Sequence, residues 1–215
     1  MIAQSDHHYY AGRPVHIVTA EGGRLEIARG SHVVRTYERP TPFDVHWHGL
    51  SDAGTVVRNG RYVIRLNGRR IGGFAFHSHI YPIRGTHYDR GGIGVFGAPR
   101  NGGRTHEGYD VMSPCGTPVV AARGGRVRKS TYDPILYGNL VIVRGRRTHR
   151  DYWYAHLRHT PRVAKGDRVR TGRRLGTIGT TGNAASVGCH LHFEVRLRGT
   201  PVDPAPLLHR WDRWS

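Results

Sequence analysis

The stretch GCHLHFEV, residues 188–195, places two imidazoles two positions apart in an apolar run that favours a β-strand. Because side chains two apart on a strand project from the same face, His190 and His192 are expected to share one surface. Histidine is a common zinc ligand, so this strand is where a zinc site would begin. The pattern alone is weak evidence, since the chain contains two other His-x-His pairs, at residues 46–48 and 77–79.

Upstream residues strengthen this interpretation. His106 and Asp110 have H-x-x-x-D spacing. His156 lies in the sequence YAHL, between Asp110 and the strand that carries His190 and His192. The five groups supply two histidines and a carboxylate for a metal and leave two histidines for acid–base chemistry. The segment between His106 and Asp110 must bend for both to reach one ion, and Gly108 is the residue expected to permit the bend. The combination predicts a zinc hydrolase.

The composition predicts a mostly β protein in which helix is scarce. The chain has 215 residues with 30 Gly and 12 Pro, and no long segment has helical periodicity. Its length favours two domains, residues 1–81 and 82–215. In the first domain, short alternating or β-branched runs have sandwich spacing; they cover residues 15–18, 24–27, 32–37, 43–47 and 61–66. In the second, an entry loop leads to further runs at residues 117–122, 139–143 and 151–156, with a hairpin at Gly124–Gly125.

The net charge of +18 comes almost entirely from arginine, because Lys129 and Lys165 are the only lysines. The arginines are spread along the whole chain, which resembles the codon bias of a GC-rich genome more than a designed patch. A surface this basic attracts polyanions, and anionic cell-wall polymers are therefore candidate partners. No recognised nucleic-acid-binding module occurs, so a nucleic-acid partner is not expected, and neither is a membrane span.

Cys115 and Cys189 are the only cysteines. One follows the H-x-x-x-D stretch and the other directly precedes His190, so a fold that brings the metal ligands together also brings the cysteines close. A disulfide is expected in an oxidising compartment, and two buried free thiols are the alternative. Cysteine ligation of zinc is disfavoured, because imidazole and carboxylate groups already fill the site.

Six segments in chain order resemble the lysostaphin-like zinc peptidases that cut peptidoglycan cross-links. They are GRTHEGYDV (103–111), CGTPV (115–119), YAHL (154–157), GDRV (166–169), GTIGTTG (176–182) and HLHFE (190–194).

The resemblance implies that His106, Asp110 and His192 bind Zn²⁺, and that His156 and His190 flank a metal-bound water as general base or as stabilisers of the tetrahedral intermediate. It also implies a zinc-dependent endopeptidase that hydrolyses peptide bonds in peptidoglycan stem peptides or cross-bridges. The alternative is a non-catalytic relative that binds peptidoglycan or activates another hydrolase.

The preceding region resembles the immunoglobulin-like domain of flagellar hook-capping proteins, through residues 34–36, Trp47-His48-Gly49, 52–54 and 59–62. It departs from that pattern at His48, where an acidic residue is common. The implied architecture is an N-terminal immunoglobulin-like β-sandwich followed by an antiparallel β-sheet zinc peptidase domain.

Other motifs in the chain have competing interpretations. A lipoyl- or biotinyl-type carrier, indicated by VAKGDRV at residues 163–169, lacks a suitably exposed lysine and has no use for the five zinc-site groups. The His-x-His pairs at 46–48 and 77–79 are expected to be ordinary histidines rather than a second metal site. Arg100, just upstream of the H-x-x-x-D stretch, is a candidate substrate contact. Activity on peptidoglycan implies an extracellular or cell-envelope location, although residues 1–8 show no signal peptide.

Overall fold

The structure of the protein is a computed structural model that describes residues 7–214. The expectation about a signal peptide concerns residues that lie mostly outside this range. The chain divides into two compact units between His79 and Ile80. This division falls two residues before the boundary predicted from the sequence. The reason is that the Ile80 amide donates a hydrogen bond to the Ala122 carbonyl and that Tyr81 lies in the core of the second unit.

The first unit contains a five-stranded sheet of order β1-β7-β6-β3-β4 and a two-stranded sheet of β2 and β5. All the strand pairs are antiparallel except β1 with β7. The strands are β1 (His8–Tyr10), β2 (Val15–Val18), β3 (Gly23–Arg29), β4 (His32–Arg39), β5 (Asp44–Trp47), β6 (Gly60–Leu66) and β7 (Arg69–His77).

Both sheets of the first unit contribute to one apolar core, in which Trp47 contacts the rings of Tyr62, Phe74 and Phe76. Alternation of buried and exposed residues produces this core, as it does for any sheet with one solvated face. The relationship to immunoglobulin-like domains stays a prediction.

The second unit is built on a sheet of order β14-β11-β12-β13-β16-β9-β8, to which β17 adds by pairing with β16. A separate two-stranded sheet joins β10 to β15. The elements are β8 (Tyr88–Asp89), β9 (Tyr109–Met112), β10 (Pro118–Val120), β11 (Gly125–Asp133), β12 (Gly138–Gly145), β13 (Arg150–Leu157), β14 (Arg168–Val169), β15 (Arg174–Thr177), β16 (His190–Leu197), β17 (Thr200–Val202) and α1 (Ala205–Asp212).

The mostly β, antiparallel fold class is confirmed. One local expectation is wrong: no hairpin joins the strands on either side of Gly124–Gly125, because β10 pairs with β15 while β11 pairs with β12 and β14. Within residues 7–214, no helix has the length and apolar character that crossing a bilayer requires.

The core of the second unit lies on one face of the large sheet. Side chains from the strands pack there with the two-stranded sheet and with Leu208 and Trp211 of α1. The opposite face of β9, β16 and β13 carries the polar side chains described next. Packing of the core therefore fixes the positions of the strands that carry these side chains.

Candidate metal centre and catalytic site

Strand register brings the predicted groups of the second unit together. In the pairing of β16 with β9, His192 lies directly opposite Asp110, and in the pairing with β13 it lies opposite Ala155. Directly opposed residues point to the same face of a sheet. His190, two residues before His192, therefore shares that face, as expected from the alternation of a strand.

His156 reaches the same face through a β-bulge. Asn139 pairs with Leu157 and Val141 pairs with Tyr154, so two residues of β13, Ala155 and His156, oppose the single residue between them on β12. His156 has a φ of 59°, in the left-handed region that few non-glycine residues adopt. Without the bulge, strict alternation would direct His156 into the core; such local strain is commonly retained next to functional sites.

Backbone carbonyls determine which ring nitrogen of three histidines carries the proton. The Nδ1 atoms of His106, His156 and His190 each lie 2.8 Å from a carbonyl oxygen, those of Val95, Thr181 and Gly188 respectively. A carbonyl only accepts hydrogen bonds, so each Nδ1 is a donor. In the neutral rings, each Nε2 then keeps a lone pair.

His192 has the opposite orientation. Its Nε2 lies 3.0 Å from Oε1 of Glu194, a carboxylate that accepts the Nε2–H, and its Nδ1 faces the other groups. Glu194 is fully buried and also accepts hydrogen bonds from the Tyr137 hydroxyl at 3.0 Å and from Nε of Arg196 at 2.7 Å. Carboxylate–histidine pairs of this kind fix the orientation and the tautomer of a metal ligand.

Three electron-rich atoms consequently meet at one point. His106 Nε2, Asp110 Oδ1 and His192 Nδ1 are separated by 2.9, 3.0 and 3.1 Å, and all three residues are buried. The ligand atoms of a tetrahedral zinc ion with bonds of about 2.0–2.1 Å lie about 3.3 Å apart, so the spacing is close to that of a zinc site. Because the other ring protons of both histidines are donated elsewhere, only an added proton or a metal cation balances these lone pairs.

Electrostatics of the cluster follow from the same contacts. Burial favours the neutral form of Asp110, but when a proton is added to the facing nitrogen of His106 or His192 that ring donates to the carboxylate, and this interaction holds the pKa of Asp110 well below its usual range. Burial likewise opposes charge on His192, whereas its hydrogen bonds with Asp110 and Glu194 raise its pKa to about 9. A cation bound here displaces the proton on Nδ1, so metal binding competes with protons.

A basic side chain holds the other oxygen of Asp110. Arg90 Nη1 lies 2.9 Å from Asp110 Oδ2, and the Arg90 amide donates to the Asp110 carbonyl. Arg100, the candidate substrate contact, has Nη2 4.0 Å from the same Oδ2. Arg90 therefore orients the carboxylate so that Oδ1 faces the two histidines.

His156 and His190 lie beside the cluster and have their ring centroids 4.8 Å apart. Burial, with the neighbouring histidines, lowers the pKa of His156 to about 3, and burial also lowers the pKa of His190. Both rings are therefore neutral at physiological pH, and each has a lone pair on Nε2 that accepts a proton.

The cluster opens into a groove of about 860 Å³. Arginines 90, 100 and 104 line the groove, as do the side chains of Leu136, Tyr137 and Val187. A groove of this size accommodates a peptide segment of a few residues, with cationic groups for carboxylates and apolar surface for small side chains.

Gly108 has a role different from the one expected. Its φ is not in the left-handed region, so the bend does not depend on glycine geometry. A Cβ at this position would lie 2.6 Å from the His192 ring and 2.8 Å from the Phe193 carbonyl oxygen. Gly108 is therefore required for the close approach of its segment to the His192 ring.

The disulfide between Cys115 and Cys189 is confirmed, with Cα atoms 5.3 Å apart and a sequence separation of 74. It ties the segment directly before β16 to the loop that follows β9. The two strands that carry Asp110, His190 and His192 are thus linked covalently as well as by backbone hydrogen bonds.

Comparison with protein families identifies most of the second unit. Residues 104–204 match the model of peptidase family M23, so this chain carries an M23 peptidase domain in its second unit. The class of peptidase that the sequence motifs resemble is confirmed. The predicted His and Asp residues all lie within the matched region.

Named relatives are consistent with the family. The matched region is 39% identical to the peptidoglycan DD-endopeptidase ShyC of Vibrio cholerae over 101 residues, which are 47% of this chain and 22% of that protein. The cell division protein DipM of Caulobacter vibrioides is 36% identical over 139 residues, 60% of this chain and 21% of that protein. This chain thus spans about a fifth of the length of these two relatives.

A solved structure also resembles this chain. It is a zinc-containing peptidase from Vibrio cholerae that is 28% identical, with a TM-score of 0.51 over 68% of this chain and 44% of that one.

Sequence reasoning did not assign roles to Glu194, Arg90 or Tyr137. Glu194 was detectable, because it lies two residues after His192 and alternation places both side chains on one face. No sequence signal pointed to Arg90 or Tyr137, which reach the site from loops outside the six motif segments.

Proposed function

We propose that this protein is a zinc-dependent endopeptidase that hydrolyses peptide bonds in peptidoglycan stem peptides or cross-bridges. The observation that carries the proposal is the buried convergence of His106 Nε2, Asp110 Oδ1 and His192 Nδ1, with the other ring protons of both histidines directed away. Membership of the M23 peptidase family and the ShyC relative support the reaction class.

In this proposal His106, Asp110 and His192 hold the ion. Two imidazoles and one carboxylate leave zinc an open position, as catalytic zinc sites require. When bound, zinc supplies Lewis-acid polarisation of a peptide carbonyl and lowers the pKa of a coordinated water to about 7.

His156 and His190 move protons. Each donates its Nδ1–H to a backbone carbonyl, so its Nε2 is free to accept the proton of the attacking water and to return a proton to the departing amine nitrogen. The low pKa of His156 keeps it in the accepting form at neutral pH. The two carbonyl contacts also fix ring orientation, which reduces the entropic cost of reaching the reactive geometry.

The groove supports a substrate that carries carboxylates. Arg100 and Arg104 lie on its wall, and a peptide carboxylate next to the scissile bond would pair with either guanidinium. The net charge of +18 favours accumulation on anionic cell-wall polymers through long-range attraction. Peptidoglycan as the substrate and a disulfide both fit an extracellular or cell-envelope location.

The direct test is digestion of isolated sacculi by the purified full chain, with released ends identified by mass spectrometry. We expect new amino and carboxyl termini within peptide stems or bridges, loss of release on chelation, and recovery when zinc is restored. His149→Ala, at an exposed histidine away from the groove, is the matched control and should cut normally. Zinc-loaded, folded protein that binds sacculi yet releases no peptide ends would contradict the proposal and favour a non-catalytic relative.

A further inference from the structure

A second group of metal-binding side chains lies on the first unit. In the two-stranded sheet, His16 of β2 lies directly opposite His46 of β5, and Asp44 precedes His46 by two residues on the same strand. Val15, Ile17 and Trp47 point into the core, so alternation directs His16, Asp44 and His46 to the solvent-exposed face.

The three side chains already converge. His16 Nε2 lies 2.8 Å from Asp44 Oδ1, and the His16 and His46 rings are stacked with centroids 4.3 Å apart and planes 6° apart. One donor atom from each of the three residues lies within 4.8 Å of the other two. Directing the three atoms at one ion requires side-chain rotations, which cost little for exposed residues.

We propose that His16, Asp44 and His46 form a second metal site, which binds zinc or a similar late divalent transition metal. Two imidazoles and a carboxylate suit zinc, nickel or copper, whereas magnesium and calcium require mainly oxygen ligands. Because the site is exposed, water completes the coordination. The site lies outside the matched peptidase region and does not depend on the proposed activity.

The bound metal has a structural consequence. Among residues 7–214, β2 and β5 pair only with each other, and a two-stranded sheet gains limited stability from its own hydrogen bonds. One ion coordinated from both strands links segments that lie 26 or more residues apart in the chain, so local separation of β2 from β5 requires release of the metal. Zinc therefore stabilises this pair against opening.

Metal stoichiometry tests the site. Untagged full-length protein is dialysed against buffered free zinc, and the bound metal is quantified by inductively coupled plasma mass spectrometry. We expect two equivalents for the unmodified chain and one for either His16→Ala or His46→Ala. His32→Ala, which removes another exposed histidine of the first unit, is the matched control and should keep both.

The outcomes separate the two sites and the alternatives. His192→Ala should also lose one equivalent, and the double variant with His46→Ala should lose both. Unchanged binding in His16→Ala or in His46→Ala overturns the proposal. An equal loss in His32→Ala also overturns it, because zinc would then bind exposed histidines without a defined site.

Amide hydrogen exchange provides a second test that does not rely on metal stoichiometry. With free zinc at about 100 times its dissociation constant, linkage predicts about 100-fold slower exchange for amides of β2 and β5 that open by strand separation. His46→Ala should abolish that protection, while His32→Ala should retain it. Zinc-independent exchange of these amides in the unmodified chain would overturn the stabilising role.

Discussion

Two clusters in this protein have the same donor set, two histidines and one aspartate, and differ in burial and in the contacts of the donors. His106, Asp110 and His192 are buried, whereas His16, Asp44 and His46 are exposed. The buried donors are oriented by contacts behind them, including Glu194 on His192 and Arg90 on Asp110. The exposed donors contact one another: His16 bonds Asp44 and its ring stacks on that of His46.

This difference is the basis for proposing a catalytic role for the buried cluster and a structural role for the exposed one. Burial excludes water from the reacting groups and strengthens each electrostatic interaction, and preset ring orientations avoid reorganisation during the reaction. The buried cluster also has two neutral histidines beside it, His156 and His190, which are the proposed proton carriers. The role proposed for the exposed cluster is to bind an ion and hold two strands together.

The largest expected contrast is between His192→Ala and His46→Ala. Loss of His192 leaves the buried site with two protein ligands, too few to hold zinc well, so peptide hydrolysis should fall to background. His46→Ala should leave the rate unchanged. Steady-state hydrolysis of a soluble cross-linked peptide at saturating zinc measures both, and comparable losses in the two variants would erase the distinction between the clusters.

The next largest effects on activity are expected from His156→Ala and His190→Ala. General acid–base groups contribute about 10²–10⁴-fold, so each substitution should lower kcat by an amount in that range while zinc stays bound. Metal analysis of the same samples is the internal control. Loss of zinc from His190→Ala, together with its retention in His192→Ala, would mean that the two histidines of β16 have exchanged roles.

A smaller effect is expected from Glu194→Gln. The amide keeps the size of the side chain but loses the charge that orients His192, and changes in such supporting partners typically cost about 10–100-fold in metal affinity. Competition with a fluorescent zinc chelator gives the affinity, and Arg90→Ala should behave similarly through Asp110. Unaltered affinity in both variants would show that the contacts behind the ligands do not distinguish the two clusters.

The smallest effect is expected on removal of the first unit. A chain that begins at Ile80 keeps the buried cluster, the groove and the core of the second unit. It should fold, bind one zinc ion and cut a soluble peptide at a rate close to that of the full chain, while activity on sacculi falls more if the first unit positions the enzyme. Folded, zinc-bound protein with no activity on the soluble peptide would show that the first unit contributes to catalysis.

Local patterns predicted most of the strands that carry these sites. Alternation identified β2, β5 and β16, and the spacing of His106, Asp110 and the two histidines of β16 indicated the buried cluster. The expected Cys115–Cys189 disulfide follows from the same convergence. These features depend on side chains that are close in sequence, or on motifs that occur in the same order as in the peptidase family that the chain resembles.

Other features depend on strand register, which local patterns do not specify. The local pattern pairs His46 with His48, whereas the neighbour of His46 across the sheet is His16, 30 residues earlier, so the sequence does not indicate the exposed cluster. The β-bulge that turns His156 toward the site has no sequence signal, and neither does the choice of β15 as the partner of β10. Helix α1 was also not foreseen, since eight residues show little periodicity.

The measurement that tests the central claim most directly is diffraction from zinc-soaked crystals of the full chain, recorded on both sides of the zinc absorption edge. The account predicts a strong anomalous peak bonded to His106 Nε2, Asp110 Oδ1 and His192 Nδ1, with His156 and His190 close by but not coordinated. A peak coordinated by His156 or His190 in place of one of those three residues, or no peak in the buried cluster at saturating zinc, would contradict it.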